Sequence, residues 1–221
     1  MLKSKAKDQS PKTLDEVAAI LLAAGQSRRM GAFKPLLHFG EKTVIEACVD
    51  YLHEGGIQNI IVVVGNRAEE IREQLESSSV SFVVNPDPAS EMSASIACGV
   101  VQLPAAARAL VIALVDQPAI PANVIATLAS EWEEGAHLVV PTFAGRGGHP
   151  VLIDLHLREE LMNLDPARGL KTLFESHRDE VRRVSVASPY IARDMDTWDD
   201  YRALYEDVFG VQPPQFGSKP S

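Results

Sequence analysis

Apolar, β-branched segments recur along this chain, with helical patterns between them. Strands that helices cover on both faces read as nearly continuous apolar runs, because neither face meets water. Such runs, alternating with helices, are typical of a parallel sheet. The pattern therefore predicts an α/β fold. The apolar segments are 17–23, 57–64, 80–84, 109–115 and 138–142.

Helix-start signals stand between the apolar segments. Thr43 and Glu46 form a capping-box pattern ahead of an apolar stripe. The pair Gly55-Gly56 supplies a C-terminal stop, so we predict a helix between the first two strands. Further helices are expected to start at Asn66 with Glu69, with Pro121 in the first turn, and at Thr197. Shorter helices are expected over 155–162 and 170–177, and further strands over 151–153 and 181–186.

The chain is expected to form one domain. Its 221 residues are about one domain in length, and no shift in composition divides them, so the folded part is expected to span 14–210. Residues 1–13 are basic, lack the apolar stretch of a secretory signal and are predicted to form a disordered tail. The Pro-rich residues 211–221 are predicted to form a flexible tail.

Composition and charge exclude several classes of protein. No apolar run approaches the ~20 residues that cross a bilayer, so we expect no membrane association. The formal net charge of −9 argues against nucleic-acid binding, which depends on clustered Lys and Arg, so an anionic substrate must meet a local basic site. Cys48 and Cys98 lack C-x-x-C spacing and are expected to be buried, reduced side chains in a cytoplasmic protein.

One segment carries the strongest chemical signal. Residues 21–37 read LLAAGQSRRMGAFKPLL, in which a strand ends in the small residues Ala23, Ala24 and Gly25. Small residues let a base or a phosphate approach the main chain, whose free N–H groups can face an anion. Arg28 and Lys34 add positive charge that can reach a polyphosphate. The segment matches neither G-x-G-x-x-G nor G-x-x-x-x-G-K-[ST], and we interpret it as a different cradle for a nucleoside triphosphate.

A carboxylate follows another predicted strand. Asp116 comes after the run 109–115, and ligands of open α/β sheets bind beyond the carboxyl ends of the strands. A carboxylate at this place can hold a divalent metal against phosphate oxygens. The alternative is a turn cap ahead of Gln117 and Pro118. Magnesium usually takes one or two carboxylates together with phosphates and waters, so Mg²⁺ is the metal expected if Asp116 is a ligand.

The segment over 21–37 closely resembles the opening motif of the molybdenum-cofactor-type nucleotidyltransferases, L-A-[AG]-G-x-S-x-R-M-G-x-x-K-x-L. Residues 115–118, VDQP, resemble the D-x-P metal segment of that family, and residues 147–150, GGHP, resemble its G-H-P segment. Residues 194–201, DMDTWDDY, are similar to its D-I-D-T-P-x-D-[YF] ending. The resemblance implies a single-domain, mostly parallel Rossmann-like sheet with helices on both faces, of the nucleotide-diphospho-sugar transferase type.

The resemblance also implies roles for particular residues. Asp196 would be the second metal ligand beside Asp116, with capping of the last helix as the alternative. The residues expected to bind the nucleotide are Leu22, Ala23, Ala24, Gly25, Ser27, Arg28, Lys34, Asn85 and Ser95. Those expected to act in catalysis are Arg28, Lys34 and Asp116.

Two further groups of residues have competing interpretations. His149 and Arg146 are implied to face the acceptor substrate, and the alternative for each is an ordinary loop residue. Asn85 and Ser95 are implied to approach the base and ribose, and the alternative for them is helix capping. For Ser90 we prefer the capping interpretation.

The resemblance implies an enzyme that transfers CMP from CTP to the phosphate of molybdopterin carrying molybdenum, with release of pyrophosphate. The protein mainly positions both substrates and offsets charge, so no general base is required. CTP is expected over GTP because Ala24 stands where the guanylyltransferase branch usually has glycine, and its Cβ would crowd a purine. Besides CTP and this phosphorylated pterin-type acceptor, a molybdoenzyme or its maturation chaperone is the expected partner.

Three alternatives stay open. A guanylyltransferase would use GTP. A related transferase that acts on another small phosphate, such as methylerythritol phosphate, shares an A-A-G-x-G-x-R-M opening, from which Ser27 departs. A noncatalytic carrier of a nucleotide or pterin would bind its ligand without releasing pyrophosphate, but the presence of Arg28, Lys34 and Asp116 argues against it.

Overall fold

The computed structural model describes residues 14–25, 30–87 and 90–214. The strands are β1 (Val17–Ala23), β2 (His38–Phe39), β3 (Lys42–Thr43), β4 (Asn59–Val64), β5 (Ser81–Val84), β6 (Ala109–Leu114), β7 (Leu138–Phe143), β8 (Arg146–Gly147), β9 (Val151–Asp154) and β10 (Val181–Ser185). The α-helices are α1 (Val44–Glu54), α2 (Ala68–Gln74), α3 (Met92–Val101), α4 (Ala122–Glu133), α5 (Arg158–Met162), α6 (Leu170–Ser176) and α7 (Trp198–Phe209). Short 3-10 helices span Lys34–Leu36, Leu155–Leu157 and Pro189–Ala192.

Within the described residues, eight strands form one mixed, mostly parallel sheet in the order β10-β7-β9-β6-β1-β4-β5, with β8 paired to β7. β1 lies between β4 and β6 and is parallel to both, with Ala18 opposite Asn59 on one side and Leu110 on the other. β9 runs antiparallel to its neighbours β6 and β7. β2 and β3 form a separate hairpin. The predicted α/β fold with a mostly parallel sheet is confirmed.

The burial of β1 explains why its sequence is apolar throughout. All of its residues are buried. Ala19 and Leu21 pack in a core cluster with residues of α1 and α4. Ala18 and Ile20 point to the opposite face and pack with residues of α3, α5 and α6. Because successive side chains of a strand alternate between the two faces, a strand covered on both sides needs an apolar residue at every position.

Two of the predicted helix starts are confirmed. Thr43 caps α1, and the Glu46 carboxylate accepts a hydrogen bond from the Thr43 N–H at 2.7 Å while the Thr43 hydroxyl accepts one from the Glu46 N–H. Thr197 and Asp200 form the same reciprocal pair at the start of α7. Each pair satisfies N–H groups that the first turn of a helix leaves free.

Three other expected helix starts are wrong. α2 begins one residue later than a cap at Asn66 requires, and Arg67 occupies the cap position without a side-chain hydrogen bond. Pro121 precedes α4 in an extended conformation, so it does not stand in the first turn. Ser90 lies one residue before the cap position of α3, and its hydroxyl instead donates to the Asp87 carbonyl oxygen at 2.8 Å.

A third core cluster joins the C-terminal helix to the segment that follows β1. Met30, Leu37 and Phe39 pack there with residues of α7 and with the fully buried Met195. The Tyr201 hydroxyl adds a hydrogen bond to the His38 carbonyl oxygen at 2.8 Å. This cluster brings the end of the domain beside the predicted cradle, and it therefore positions part of the candidate site.

The remaining expectations about the chain are met in part. Cys48 is buried, as predicted, Cys98 is half-buried, and both are free thiols. Residues 1–13, for which a basic tail is predicted, lie outside the described residues. Of the predicted second tail, residues 211–214 form no helix or strand and the others lie outside the described part. A search of residues 14–25, 30–87 and 90–214 finds no helix with the length and apolar character of a membrane span.

Candidate active site

The carboxyl ends of three neighbouring parallel strands meet at one edge of the sheet. β1 ends at Ala23, β4 at Val64 and β6 at Leu114, and the residues that follow them lie beside one another. Asp116 follows β6 at this edge, and the N–H of the preceding Val115 donates to the Leu22 carbonyl oxygen of β1 at 3.2 Å. The predicted cradle and the predicted metal carboxylate therefore share the edge at which open α/β sheets bind their ligands.

Lys34 lies between two carboxylates from distant parts of the chain. Its Nζ donates to Asp196 Oδ1 at 2.7 Å and lies 3.9 Å from Asp116 Oδ2. Only 8% of Lys34 is exposed. A buried ammonium group is costly unless charged partners surround it, so the three side chains hold one another in place. The structure thus brings together three of the residues predicted from the sequence.

Asp116 has the surroundings of a cation ligand. Its Oδ1 atom is buried and accepts no hydrogen bond from the part of the chain that the structure describes. Burial raises the pKa of Asp116 to about 6; the Lys34 ammonium opposes this rise, and the carboxylates of Asp194 and Asp196 add to it. A buried acceptor without a partner costs free energy, which a bound divalent cation would remove. Carboxylate oxygens are ligands that suit Mg²⁺ and Mn²⁺.

The segment before α7 is fixed against the end of β6. The Met195 N–H donates to the Asp116 carbonyl oxygen at 3.0 Å. On either side of Met195, the two carboxylates have different partners. Asp194 Oδ1 accepts a hydrogen bond from Gln117 Nε2 at 2.7 Å, whereas Asp196 faces the buried ammonium group described above. Asp196 is therefore the carboxylate that pairs with Asp116 around a shared charge.

His149 is held in a tight segment near the same edge. Its main-chain N–H donates to the Ile191 carbonyl oxygen at 2.8 Å. A Cβ atom on Gly148 would lie 1.8 Å from that oxygen, so only glycine fits there. Burial lowers the pKa of His149, and the nearby Ile112 carbonyl oxygen and Asp194 carboxylate oppose this effect. The lowered pKa favours the neutral imidazole, which offers one donor and one acceptor nitrogen.

A cavity of about 240 Å³ opens beside the small-residue turn. The backbones of the turn and of the segment after β4 approach closely, since a Cβ atom on Gly65 would lie 2.9 Å from the Ala24 carbonyl oxygen. The Arg67 guanidinium stacks over the Phe33 ring at 4.1 Å from its centroid. The lining residues are Ala23, Ala24, Gly25, Phe33, Gly65, Asn66 and Arg67.

Four of these lining residues were missed by the sequence reasoning. Phe33, Gly65, Asn66 and Arg67 were not proposed as site residues. A signal was available, because Gly65-Asn66-Arg67 directly follows the apolar run of β4, just as Asp116 follows that of β6. Polar residues after a second parallel strand belong to the same edge of the sheet.

Asn85 and Ser95 are brought together, but they bind each other. Asn85 Nδ2 donates to Ser95 Oγ at 2.9 Å and to Ser90 Oγ at 2.8 Å, and its Oδ1 accepts from the Asp87 N–H at 3.1 Å. Asn85 and Ser95 are both buried. Both N–H donors of the Asn85 amide are therefore engaged within the protein, and only its Oδ1 retains capacity to accept a further hydrogen bond.

The other predicted site residues differ in their placement. Leu22 and Ala23 are buried strand residues, so only their main chain can meet a ligand. Arg146 is exposed on β8, in the hairpin that continues β7, and it is not part of the Lys34 cluster. Ser27 and Arg28 lie outside the described residues, and their roles stay predictions.

The fold and the site together define a class of protein: an α/β domain with a small-residue cradle and two acidic side chains at the carboxyl edge of its sheet. A sequence model of the family described as MobA-like NTP transferase domain matches residues 19–181. The chain therefore belongs to this family. The prediction of a nucleotidyltransferase enzyme is confirmed.

Two named relatives align with most of the chain. Nicotine blue oxidoreductase of Paenarthrobacter nicotinovorans is 31% identical over 153 residues, which are 64% of this chain and 72% of that protein. The molybdenum cofactor cytidylyltransferase of Escherichia coli (strain K12) is 24% identical over 194 residues, which are 85% of this chain and 95% of that protein. These matches confirm the superfamily that the motifs predicted. The two relatives are named for different activities, one as an oxidoreductase and one as a cytidylyltransferase.

Solved structures share the fold. The Mycobacterium sp. strain JC1 homologue of the Mycobacterium tuberculosis protein Rv0371c superposes with a TM-score of 0.78 and 32% identity, over 88% of this chain and 97% of that chain. Rv0371c of Mycobacterium tuberculosis H37Rv, solved in complex with manganese, superposes with a TM-score of 0.75 and 27% identity, over 87% and 100% of the two chains. A divalent metal is thus bound by a related protein.

Proposed function

We propose that this nucleotidyltransferase transfers CMP from CTP to the phosphate of a small acceptor, the phosphorylated pterin that carries molybdenum, and releases pyrophosphate. The observation that carries the proposal is the cluster in which Lys34 lies between Asp116 and Asp196. It provides a cation and two oxygen ligands at the edge of the sheet where a nucleotide would meet the small-residue turn.

The reaction needs positioning and charge compensation more than proton transfer. An oxygen of the acceptor phosphate attacks the α-phosphorus of CTP, and the bond to the pyrophosphate leaving group breaks in line. A magnesium ion held by Asp116 and Asp196 would neutralise charge on the phosphate oxygens. Lys34 offsets the negative charge that develops toward pyrophosphate. Arg28, which lies outside the described residues, is the second cation that we assign to this role.

The preference for cytidine is proposed from the cradle. The cavity beside Ala24 has about 240 Å³, and a side chain at this position narrows the approach of a base to the main chain. Asn66 offers an amide that can bind the polar edge of a pyrimidine, and the Arg67–Phe33 stack offers a flat surface. A larger purine would need room that the Ala24 Cβ takes up.

The acceptor side is proposed at the other end of the same edge. His149 is half-buried near Asp194, and its lowered pKa favours the neutral imidazole. Arg146 is exposed on the hairpin that leaves β7. A neutral imidazole can bind a polar ring, and an exposed guanidinium can bind the acceptor phosphate in bidentate fashion. A molybdoenzyme or its maturation chaperone would then receive the product.

The decisive measurement is pyrophosphate release with CTP or GTP, Mg²⁺ or Mn²⁺, and a panel of acceptors that includes molybdenum-loaded molybdopterin and methylerythritol phosphate. We expect release with CTP and the pterin. Asp116→Asn should lower turnover at least ~100-fold, as the loss of a strong electrostatic stabiliser does. Asp50→Asn, at a surface ion pair with Lys42, is the matched control and should leave turnover unchanged.

Each rival has its own outcome in this assay. Turnover with GTP alone would identify a guanylyltransferase, and turnover with methylerythritol phosphate alone would identify the related transferase. Saturable CTP binding without pyrophosphate release under any condition would indicate a noncatalytic carrier. Near-normal turnover by folded Asp116→Asn would refute the proposed metal site.

A second candidate activity comes from the relative that is named an oxidoreductase and is 31% identical to this chain. The absence of a G-x-G-x-x-G sequence after β1 speaks against a dinucleotide site of the usual type. Oxidation of NADH or NADPH in the presence of a quinone-like dye, without CTP, tests this candidate directly. Such activity, if Asp116→Asn retained it while no pyrophosphate formed, would replace the transferase proposal.

A further inference from the structure

A second group of potential metal ligands lies at the opposite edge of the sheet. His137 directly precedes β7, Asp154 ends β9, and His156 belongs to the 3-10 helix that follows β9. Because β9 is antiparallel to β6, its last residue lies beside Ala109, the first residue of β6. The group therefore lies at the end of β6 that is remote from Asp116, and it takes no part in the site described above.

The three side chains converge on one point. One ligand atom from each of His137, Asp154 and His156 lies within 4.8 Å of the other two. The two imidazole rings meet edge to face, with their centroids 4.5 Å apart and their planes at 71°. Two nitrogen donors and one carboxylate oxygen are a donor set that transition metals commonly use.

The carboxylate is fixed in position before any cation arrives. Trp132 Nε1 donates to Asp154 Oδ2 at 2.7 Å, and the His156 N–H donates to Asp154 Oδ1 at 2.9 Å. The Asp154 N–H donates to the His137 carbonyl oxygen at 2.8 Å. The first two bonds fix the carboxylate against α4 and the 3-10 helix, and the third fixes the main chain of Asp154 beside His137. A ligand that is held in place by other hydrogen bonds loses little freedom when it binds a metal.

The cap of the 3-10 helix does not account for this arrangement. Asp154 caps that helix through the His156 N–H, and the His156 ring, with Nδ1 at 2.9 Å from Asp154 Oδ1, belongs to the same local contact. His137, in contrast, comes from before β7 and contributes nothing to the cap. Its ring completes a three-donor set that the cap alone would not require.

The surroundings favour a cation. A cavity of about 380 Å³ adjoins the group, and its lining includes His137, Asp154 and Glu133. Arg108 lies on the same cavity, but its guanidinium is 3.8 Å from Glu16, which offsets its charge. Both histidines are exposed, so a hydrated metal ion can reach them without any opening of the fold.

We propose that His137, Asp154 and His156 form a second metal site, which binds a divalent transition metal such as Zn²⁺ or Co²⁺. Imidazole nitrogens select such ions over Mg²⁺, whose ligands are oxygens. The site is therefore chemically distinct from the pair Asp116 and Asp196. A metal bound there links the start of β7 to the end of β9 and so stabilises the folded domain.

The test is a titration of the chelator-treated, full-length protein with Co²⁺ and Zn²⁺ in the presence of excess Mg²⁺, followed by visible absorption and calorimetry. We expect one equivalent of Co²⁺ to bind with ligand-field bands in the visible. His137→Ala and His156→Ala should each weaken binding at least ~10-fold, as losing a ligand or its support does. His38→Ala, at an exposed histidine on β2, is the matched control, and Asp116→Asn should also bind Co²⁺ normally.

A second measurement needs no variant. Paramagnetic Co²⁺ should broaden the imidazole NMR signals of His137 and His156 in the wild-type protein before it affects that of His38. The proposal would be overturned if Co²⁺ did not bind saturably or if it broadened the signals of all histidines alike. Binding that survives in folded His137→Ala and His156→Ala would also overturn it. Loss of binding in Asp116→Asn alone would assign the metal to the proposed active site instead.

Discussion

Replacing Asp116 by asparagine should make the metal-free protein more stable while it removes turnover. In the absence of a cation, the Asp116 carboxylate lies in a buried place beside Asp194 and Asp196, and the Lys34 ammonium compensates only part of the cost. Asparagine has nearly the same shape as the neutral carboxyl group and carries no charge. The substitution therefore removes an unfavourable charge from the folded state.

The pKa of Asp116 sets the magnitude. The fold raises this pKa from 3.8 to about 6, and each pKa unit corresponds to about 1.4 kcal/mol, so the ionised carboxylate lowers the free energy of unfolding by about 3 kcal/mol. This is an upper bound, because 25% of the side chain is exposed. Since the pKa of Asp116 is higher in the folded state than in the unfolded state, this loss of stability is absent in acid. It develops as the pH rises from about 4 through about 6.

Urea denaturation in EDTA, at about pH 4 and about pH 8, compares the wild type with Asp116→Asn. The difference in the free energy of unfolding should be close to zero in acid and should reach up to about 3 kcal/mol in favour of the variant at the higher pH. Mg²⁺ should then stabilise the wild type and not the variant. Asp50→Asn, at the surface, should show no such gain. A variant that is less stable than the wild type at about pH 8 would refute the reasoning.

Three further predictions concern the cradle, the His149 segment and α7. CTP with Mg²⁺ should raise the melting midpoint more than GTP at equal concentration, and Ala24→Gly should narrow the difference; stabilisation by GTP alone would contradict the cytidine proposal. Gly148→Ala should lower the free energy of unfolding by ~1–3 kcal/mol or more, because the added Cβ would lie 1.8 Å from the Ile191 carbonyl oxygen. Gly25 has open space around the position of a Cβ, so Gly25→Ala should have little effect in the same denaturation assay. Thr197→Ala should lower the free energy of unfolding by ~1 kcal/mol because it removes the cap of α7, and Thr197→Ser should restore the wild-type free energy. Equal stability of Thr197→Ala and the wild type would show that the cap contributes nothing.

Local structure could be predicted from the sequence because the interactions that form it join near neighbours. β1 spans the residues that its apolar run predicted, since burial on both faces requires an apolar residue at every position of the strand. The caps at Thr43 and Thr197 were predicted because each involves two residues three positions apart. The expected cap at Asn66 was wrong, since Arg67 occupies the cap position of α2 and makes no side-chain hydrogen bond there.

The motifs implied that Asp116 and Asp196 hold one metal, and they assigned Lys34 separately to the nucleotide. Only the tertiary structure decided that they form one cluster, because Lys34 and Asp196 are 162 positions apart and meet through the packing of α7 against the segment after β1. The same holds for the contact of Arg67 with Phe33, which no periodicity predicts. The antiparallel direction of β9, which places Asp154 at the opposite edge from Asp116, is likewise a property of the sheet. Contacts between distant residues depend on strand order and on the packing of whole elements, whereas the hydrophobic pattern and the helix caps depend only on residues that are close in the sequence.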